Sequence, residues 1–168
     1  MLVKELVLEL ANKPGQLYRA VSIIRDSGVD IKAVTCIKDS ETATKVKVIA
    51  LDYQKAMKAL KQAKIKAYEN EVIIADIEDR LGEFARVLKL VADENVNIEY
   101  VYTTLSYIPC RVLVVLDCSD SDTRKALEVL KNNHITIVSD HTIKGTCDSG
   151  SYYEERNIKE YLTTVITP

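Results

Sequence analysis

The chain has no tryptophan, a single phenylalanine, three prolines, five glycines and two histidines, and neither charge dominates: 23 Lys and Arg stand against 25 Asp and Glu, a formal net charge of -2. Each scarcity excludes something. Without a basic excess, no field draws the chain to nucleic acid or to an anionic membrane surface, so neither is expected as a partner. The longest apolar runs, such as residues 112–116, are far too short to cross a bilayer. The opening Met1-Leu2-Val3-Lys4-Glu5 lacks the pattern of a signal peptide. Cys36, Cys110, Cys118 and Cys147 form no CxxC pair, which suits idle reduced thiols, and a cytoplasmic location is expected. His134 and His141 have no partner at metal-ligand spacing, no Ser/His/Asp or Cys/His arrangement stands out, and there is no Walker motif or dinucleotide glycine pattern. No metal, cofactor or catalytic residue is expected, and the chain reads as a non-enzyme.

What is present is a unit that occurs twice. Leu6, Leu8 and Leu10 alternate as in a strand, and Leu17, Ala20, Val21 and Ile24 then fall on one face of a helix. Between them lies Asn12-Lys13-Pro14-Gly15-Gln16-Leu17, with Asn12 as a good N-cap type and Pro and Gly suited to a tight helix entry. Gly28 stands where a helix C-cap is needed. Strands over residues 31–37 and 45–51, a helix over 53–62 and a short strand over 65–69 complete a β-α-β-β-α-β order. Gly82 lies 67 positions after Gly15, and the same offset turns the stripe Leu17, Ala20, Val21, Ile24 into Phe84, Val87, Leu88, Val91. It also carries Arg19 to Arg86, Asp26 to Asp93, Ile31 to Ile98, Asn12 to Asp79 and Asp30 to Asn97. Identities that respect the helical period mark a duplication.

The expected fold is α+β: two tandem ferredoxin-like units, residues 1–69 and 70–140, with antiparallel sheets and both helices on one face, then a C-terminal extension, 141–168. The third strands, 44–51 and 111–116, contain no aromatic. An RNA-binding sheet of the same strand order would stack bases there, which is a second reason to expect no nucleic acid. At the repeat offset Lys45, Lys47 and Ile49 correspond to Val112, Val114 and Leu116. On that alignment the helix-free face meets water in unit one and is apolar in unit two. Leu113 and Val115 then serve the helix-covered side. An apolar face of this kind calls for a cover, and a homodimer closed through unit two, with help from Tyr152, Tyr153, Ile158, Tyr161 and Leu162 of the extension, is expected.

The turn Asn12-Lys13-Pro14-Gly15-Gln16-Leu17, both helix stripes, and the entries Gly28-Val29-Asp30-Ile31 and Asn95-Val96-Asn97-Ile98 together resemble the ACT domain family. The likeness covers residues 2–140, and the whole is similar to free-standing tandem ACT proteins, which lack an attached catalytic domain; ACT domains usually bind amino acids and regulate amino-acid enzymes. Leu81 replaces the turn's proline in the second copy. The resemblance implies effector sites where units meet, the helix-one turn of one facing the strand-two entry of the other. One site combines Asn12, Pro14, Gly15, Gln16 and Leu17 with Asn97. The second combines Asp79, Gly82, Glu83 and Phe84 with Asp30. Amides at Asn12 and Asn97 offer donors for a carboxylate and acceptors for an ammonium. Asp30 and Asp79 would set two like charges together, so a neutral amino acid should prefer the first site. The expected function is thus a regulatory protein that senses a free amino acid, with an amino-acid metabolic enzyme as a possible partner. A partner-binding protein with lapsed ligand sites and, less favoured, a small enzyme of amino-acid metabolism are the alternatives.

Overall fold

The computed structural model describes residues 2–106 and 108–139, so the extension 141–168 and the cover expected from it lie outside the described residues. The elements run β1 (Val3–Ala11), α1 (Gln16–Asp26), β2 (Ile31–Lys38), β3 (Ala43–Ala50), α2 (Tyr53–Gln62), β4 (Lys66–Glu78), α3 (Glu83–Asp93), β5 (Ile98–Leu105), β6 (Arg111–Cys118), α4 (Asp120–Asn132) and β7 (Thr136–Ile137). This is the tandem ferredoxin-like order expected. Among the described residues no helix is long and apolar enough to cross a membrane.

The two units share a strand. The sheet order is β2-β3-β1-β4-β6-β5, with β7 also on β4. The first half of β4 pairs with β1, from Lys66↔Glu9 to Val72↔Val3. Its second half pairs with β6, from Ile73↔Leu116 to Glu78↔Arg111, and with β7 at Ala75↔Ile137. The sequence reading ends a short strand of unit one at residue 69. No glycine or proline interrupts residues 66–78, so nothing stops the ladder and one 13-residue strand runs through. The boundary drawn between 69 and 70 falls inside it.

Three apolar layers follow from strand alternation. Leu6, Leu8 and Leu10 of β1 with Val46 and Val48 of β3 pack under Ala20 and Ile24 of α1 and Leu60 of α2. Ile73, Ala75 and Ile77 with Val114 and Leu116 pack under Val87 and Val91 of α3 and Leu130 of α4. The first member of each helix stripe, Leu17 or Phe84, stays exposed at the helix mouth instead of entering the core.

The third layer joins the units. Val3, Ala33 and Ile49 of the first contact Ile74, Leu113, Val115 and Val138 of the second, with Tyr100 and Tyr102 alongside. The sheet curls until its two helix-free faces meet, helices lying outside on both sides. This corrects the expected faces. Val114 and Leu116 point to the helices, while Leu113 and Val115 point to the opposing sheet. The offset is 67 at the first glycines but 68 from Val46 to Val114 and 70 from Ala56 to Ala126. A residue inserted before the third strand inverts every side chain on it. The face of unit one does not meet water either: Lys47 is 8% exposed and Ile49 2%. The apolar face is covered within the chain, so the argument from it to a homodimer or to the extension falls.

Candidate functional site

Each helix-one turn is built by backbone. In turn one the Lys13 N–H donates to Ala11 O (2.8 Å), the Gln16 N–H to Lys13 O (3.3 Å) and the Arg19 N–H to Gly15 O (2.9 Å). Gly15, at φ 84°, occupies the N-cap position, where the left-handed backbone favours glycine. Asn12 is therefore not the helix cap. Its N–H donates to Thr42 O at 2.9 Å and its amide to Glu41 O at 3.3 Å, which tethers the turn to the β2–β3 hairpin. Turn two repeats the pattern: Arg80 to Glu78 O, Glu83 to Arg80 O, Arg86 to Gly82 O, and Asp79 to Cys110 O of the β5–β6 hairpin. Gly82 is its N-cap at φ 92°. Asp79 thus does not cap α3 either.

No side chain caps either helix. The N–H groups of Leu17 and Tyr18, like those of Phe84 and Ala85, lie in first turns where the helix itself offers no acceptor. Turn one opens on a cleft of about 390 Å³, with residues 11–17 as one wall and Leu10, Cys36, Thr44 and Val46 as the other. Lys13 is exposed on this turn and has no ion-pair partner among the described residues. Arg19 donates to Ala63 O at 3.2 Å, so it bridges the start of α1 to the end of α2 and is more than a solvated charge. Lys13 and open N–H groups, with no acidic side chain in the cleft lining, suit a carboxylate.

Turn two differs in charge. Glu83 is clasped by Arg80 (3.0 Å) and Arg86 (3.2 Å). Arg86 also donates to Asn133 O at 2.9 Å, as Arg19 does to Ala63. Asp30 pairs with Lys32, and Asn97 donates to Glu99 at 3.3 Å. Asn97 does not line the turn-one cleft, whose walls come entirely from the first unit. Among the described residues no group of three His, Cys, Asp or Glu is placed to hold a metal.

Sequence reasoning gave Lys13 no role within the turn and missed Cys36, Thr44 and Val46 as its neighbours. It also missed a polar cluster in the seam between the sheets. Glu5 is fully buried and accepts from the Tyr100 and Tyr102 hydroxyls. Asn70 donates to the Tyr100 hydroxyl and to Asp117, and the Lys47 ammonium lies over the Tyr100 ring. Burial raises the Glu5 carboxyl and both phenols and lowers Lys47. The strand alternation of Val3, Glu5 and Val7 was the available signal: Glu5 sits where an apolar residue belongs.

The sequence pattern of the ACT domain pair matches residues 1–147. No curated protein matches the chain. Among solved structures, a protein of Bacteroides thetaiotaomicron is 26% identical with a TM-score of 0.77, covering 86% of this chain and 96% of its own. The regulatory subunit of aspartate kinase from Thermus thermophilus has a TM-score of 0.55 at 16% identity, covering 77% and 91%. Its counterpart from Thermus flavus has the same score and identity, covering 80% and 94%. The last two likenesses show the fold.

Proposed function

The chain belongs to the ACT domain pair family, and from that premise we propose that it is a non-catalytic regulatory protein that binds a free amino acid at turn one. The observation that carries this reading is the turn-one cleft, where open helix N–H groups and Lys13 adjoin a cavity of about 390 Å³ with no acidic side chain in its lining. The carboxylate goes to the N–H groups, and the ammonium to the Asn12 amide oxygen and turn carbonyls. The volume holds a ligand of amino-acid size. That two known neighbours are regulatory subunits of aspartate kinase supports a regulatory role and an amino-acid metabolic enzyme as the partner.

The homodimer is retained on a new ground. β2 is an edge strand with Val34 and Ile37 exposed, and Cys36 between them lines the cleft. A second copy paired along this edge would close the cleft. The two units, 1–69 and 70–140, then act as one ligand-binding body with a shared strand. Isothermal titration with the twenty amino acids tests the reading. At least one should bind, and Lys13→Glu should weaken it at least tenfold. Silence from all twenty rejects it.

A further inference from the structure

The duplication allows the two turns to be compared residue by residue, because the offset of 67 holds throughout them. It carries Lys13 to Arg80, Gln16 to Glu83 and Arg19 to Arg86. The frame is the same: Arg19 and Arg86 make equivalent bonds, to Ala63 O and Asn133 O. The cations are kept, and the residue between them changes from an amide to a carboxylate.

In turn two each oxygen of that carboxylate has its own guanidinium. Oε1 accepts from Arg80 at 3.0 Å and Oε2 from Arg86 at 3.2 Å. The Glu83 side chain is only 13% exposed, although both arginines are far more open. Charge-assisted bonds of this kind hold both cations to one anion. Turn one has the cations without the anion: Gln16 is neutral, and neither Lys13 nor Arg19 makes an ion pair among the described residues. Asp79 adds a further negative charge where turn one has Asn12.

We infer that Glu83 is a built-in counter-ion that occupies turn two, so that each chain offers one turn, not two, to a carboxylate ligand. This rests on the reading of turn one given above. An incoming carboxylate at turn two meets like charge from Glu83 and Asp79 and finds both guanidiniums engaged. At turn one it meets open N–H groups and two cations, Lys13 and the carbonyl-bonded Arg19, neither of which has a carboxylate partner among the described residues.

Acetate, the carboxylate alone, is the probe. Amide shifts of the full chain are followed by ¹⁵N NMR during acetate titration, at constant ionic strength, in the wild type, Glu83→Gln and Gln16→Glu. In the wild type the Leu17 and Tyr18 amides should move and those of Phe84 and Ala85 stay. In Glu83→Gln both pairs should move, and in Gln16→Glu neither. Phe84 and Ala85 responding in the wild type, or staying still in Glu83→Gln, overturns the inference. If they respond in Glu83→Gln while Leu17 and Tyr18 respond in no variant, the counter-ion stands and the turn-one reading falls. Glu83 is at the surface end of α3, and the variant's unchanged spectrum elsewhere verifies its fold.

Discussion

Tyr102 donates its hydroxyl hydrogen to Oε1 of Glu5 at 2.8 Å, across 97 residues of sequence and across the seam where the two sheets face each other. Tyr100 donates to the other oxygen of the same carboxylate. One buried acid on β1 therefore fixes the position of β5, an edge strand of the other unit. Burying a carboxylate is costly unless it is well bonded. Its two phenol donors and the Lys47 ammonium supply that bonding, and Asn70 in turn donates to the Tyr100 hydroxyl.

The pH dependence follows from burial. The folded Glu5 carboxyl lies above its ordinary value of 4.5, chiefly through desolvation, with its hydrogen bonds and Lys47 opposing. A raised folded value means that the folded state binds the proton more tightly than the unfolded chain does. The group's stabilising contribution is thus complete below 4.5 and is lost as pH rises through the raised value. Lys47 is lowered from 10.5, so its effect belongs to the alkaline side. Urea unfolding from pH 4 to pH 7 should show the wild type losing stability relative to Glu5→Gln as pH rises. A constant difference would mean that Glu5 does not titrate across that window.

Tyr102→Phe keeps the ring and removes one donor. It leaves a carboxylate oxygen without its bond and should cost about 1–3 kcal/mol. The same change in a Glu5→Gln background should cost less, by an interaction energy above about 0.5 kcal/mol, because the two groups act on each other. Additive losses in urea denaturation would place the stabilisation in ring packing rather than in the bond.

Val114→Lys tests the corrected register. On the sequence alignment Val114 lay on a helix-free face, and a lysine there would have changed only association. In the structure Val114 is fully buried beneath α3 and α4. A lysine in that layer should unfold unit two, with loss of several kcal/mol, seen as lost cooperative melting by circular dichroism. A folded monomeric variant would restore the alignment reading.

This residue also shows what the sequence carried. The helices, strands and duplication were legible because apolar periodicity and the paired glycines, Gly15 and Gly82, are local signals. The turn was legible as a unit, since its bonds run between near neighbours. What failed depended on counting across a gap. A single inserted residue between Ile98 and Val112 reverses which side of β6 faces the helices, and nothing local to Val112-Leu113-Val114-Val115 reports it, as all four are apolar. The seam was hidden for a related reason: Lys47 and Glu5 are charged, and their burial depends on partners from β4, β5 and β6. Asn12 failed as a cap because a glycine three residues on took the N-cap position, freeing the amide for the hairpin.

The cleft can be probed through its own thiol. Cys36 is exposed and lines it, Cys110 is exposed on the other hairpin, and Cys118 is buried, its thiol pushed up to about 11 by burial. With Cys147 replaced by serine, a thiol reagent at pH 8 should label Cys36 and Cys110 quickly and Cys118 slowly, since the thiolate is the reactive form. A bound amino acid should slow Cys36 severalfold and leave Cys110 unchanged, which makes Cys110 the internal control. The edge-paired dimer would also shield Cys36, but through protein concentration instead of ligand. Rates measured at dilute and at high protein concentration, with and without the amino acid identified by titration, separate the two. Shielding by ligand at low concentration locates the ligand at turn one. A Cys36 rate that neither ligand nor concentration changes removes both the turn-one site and the β2 interface.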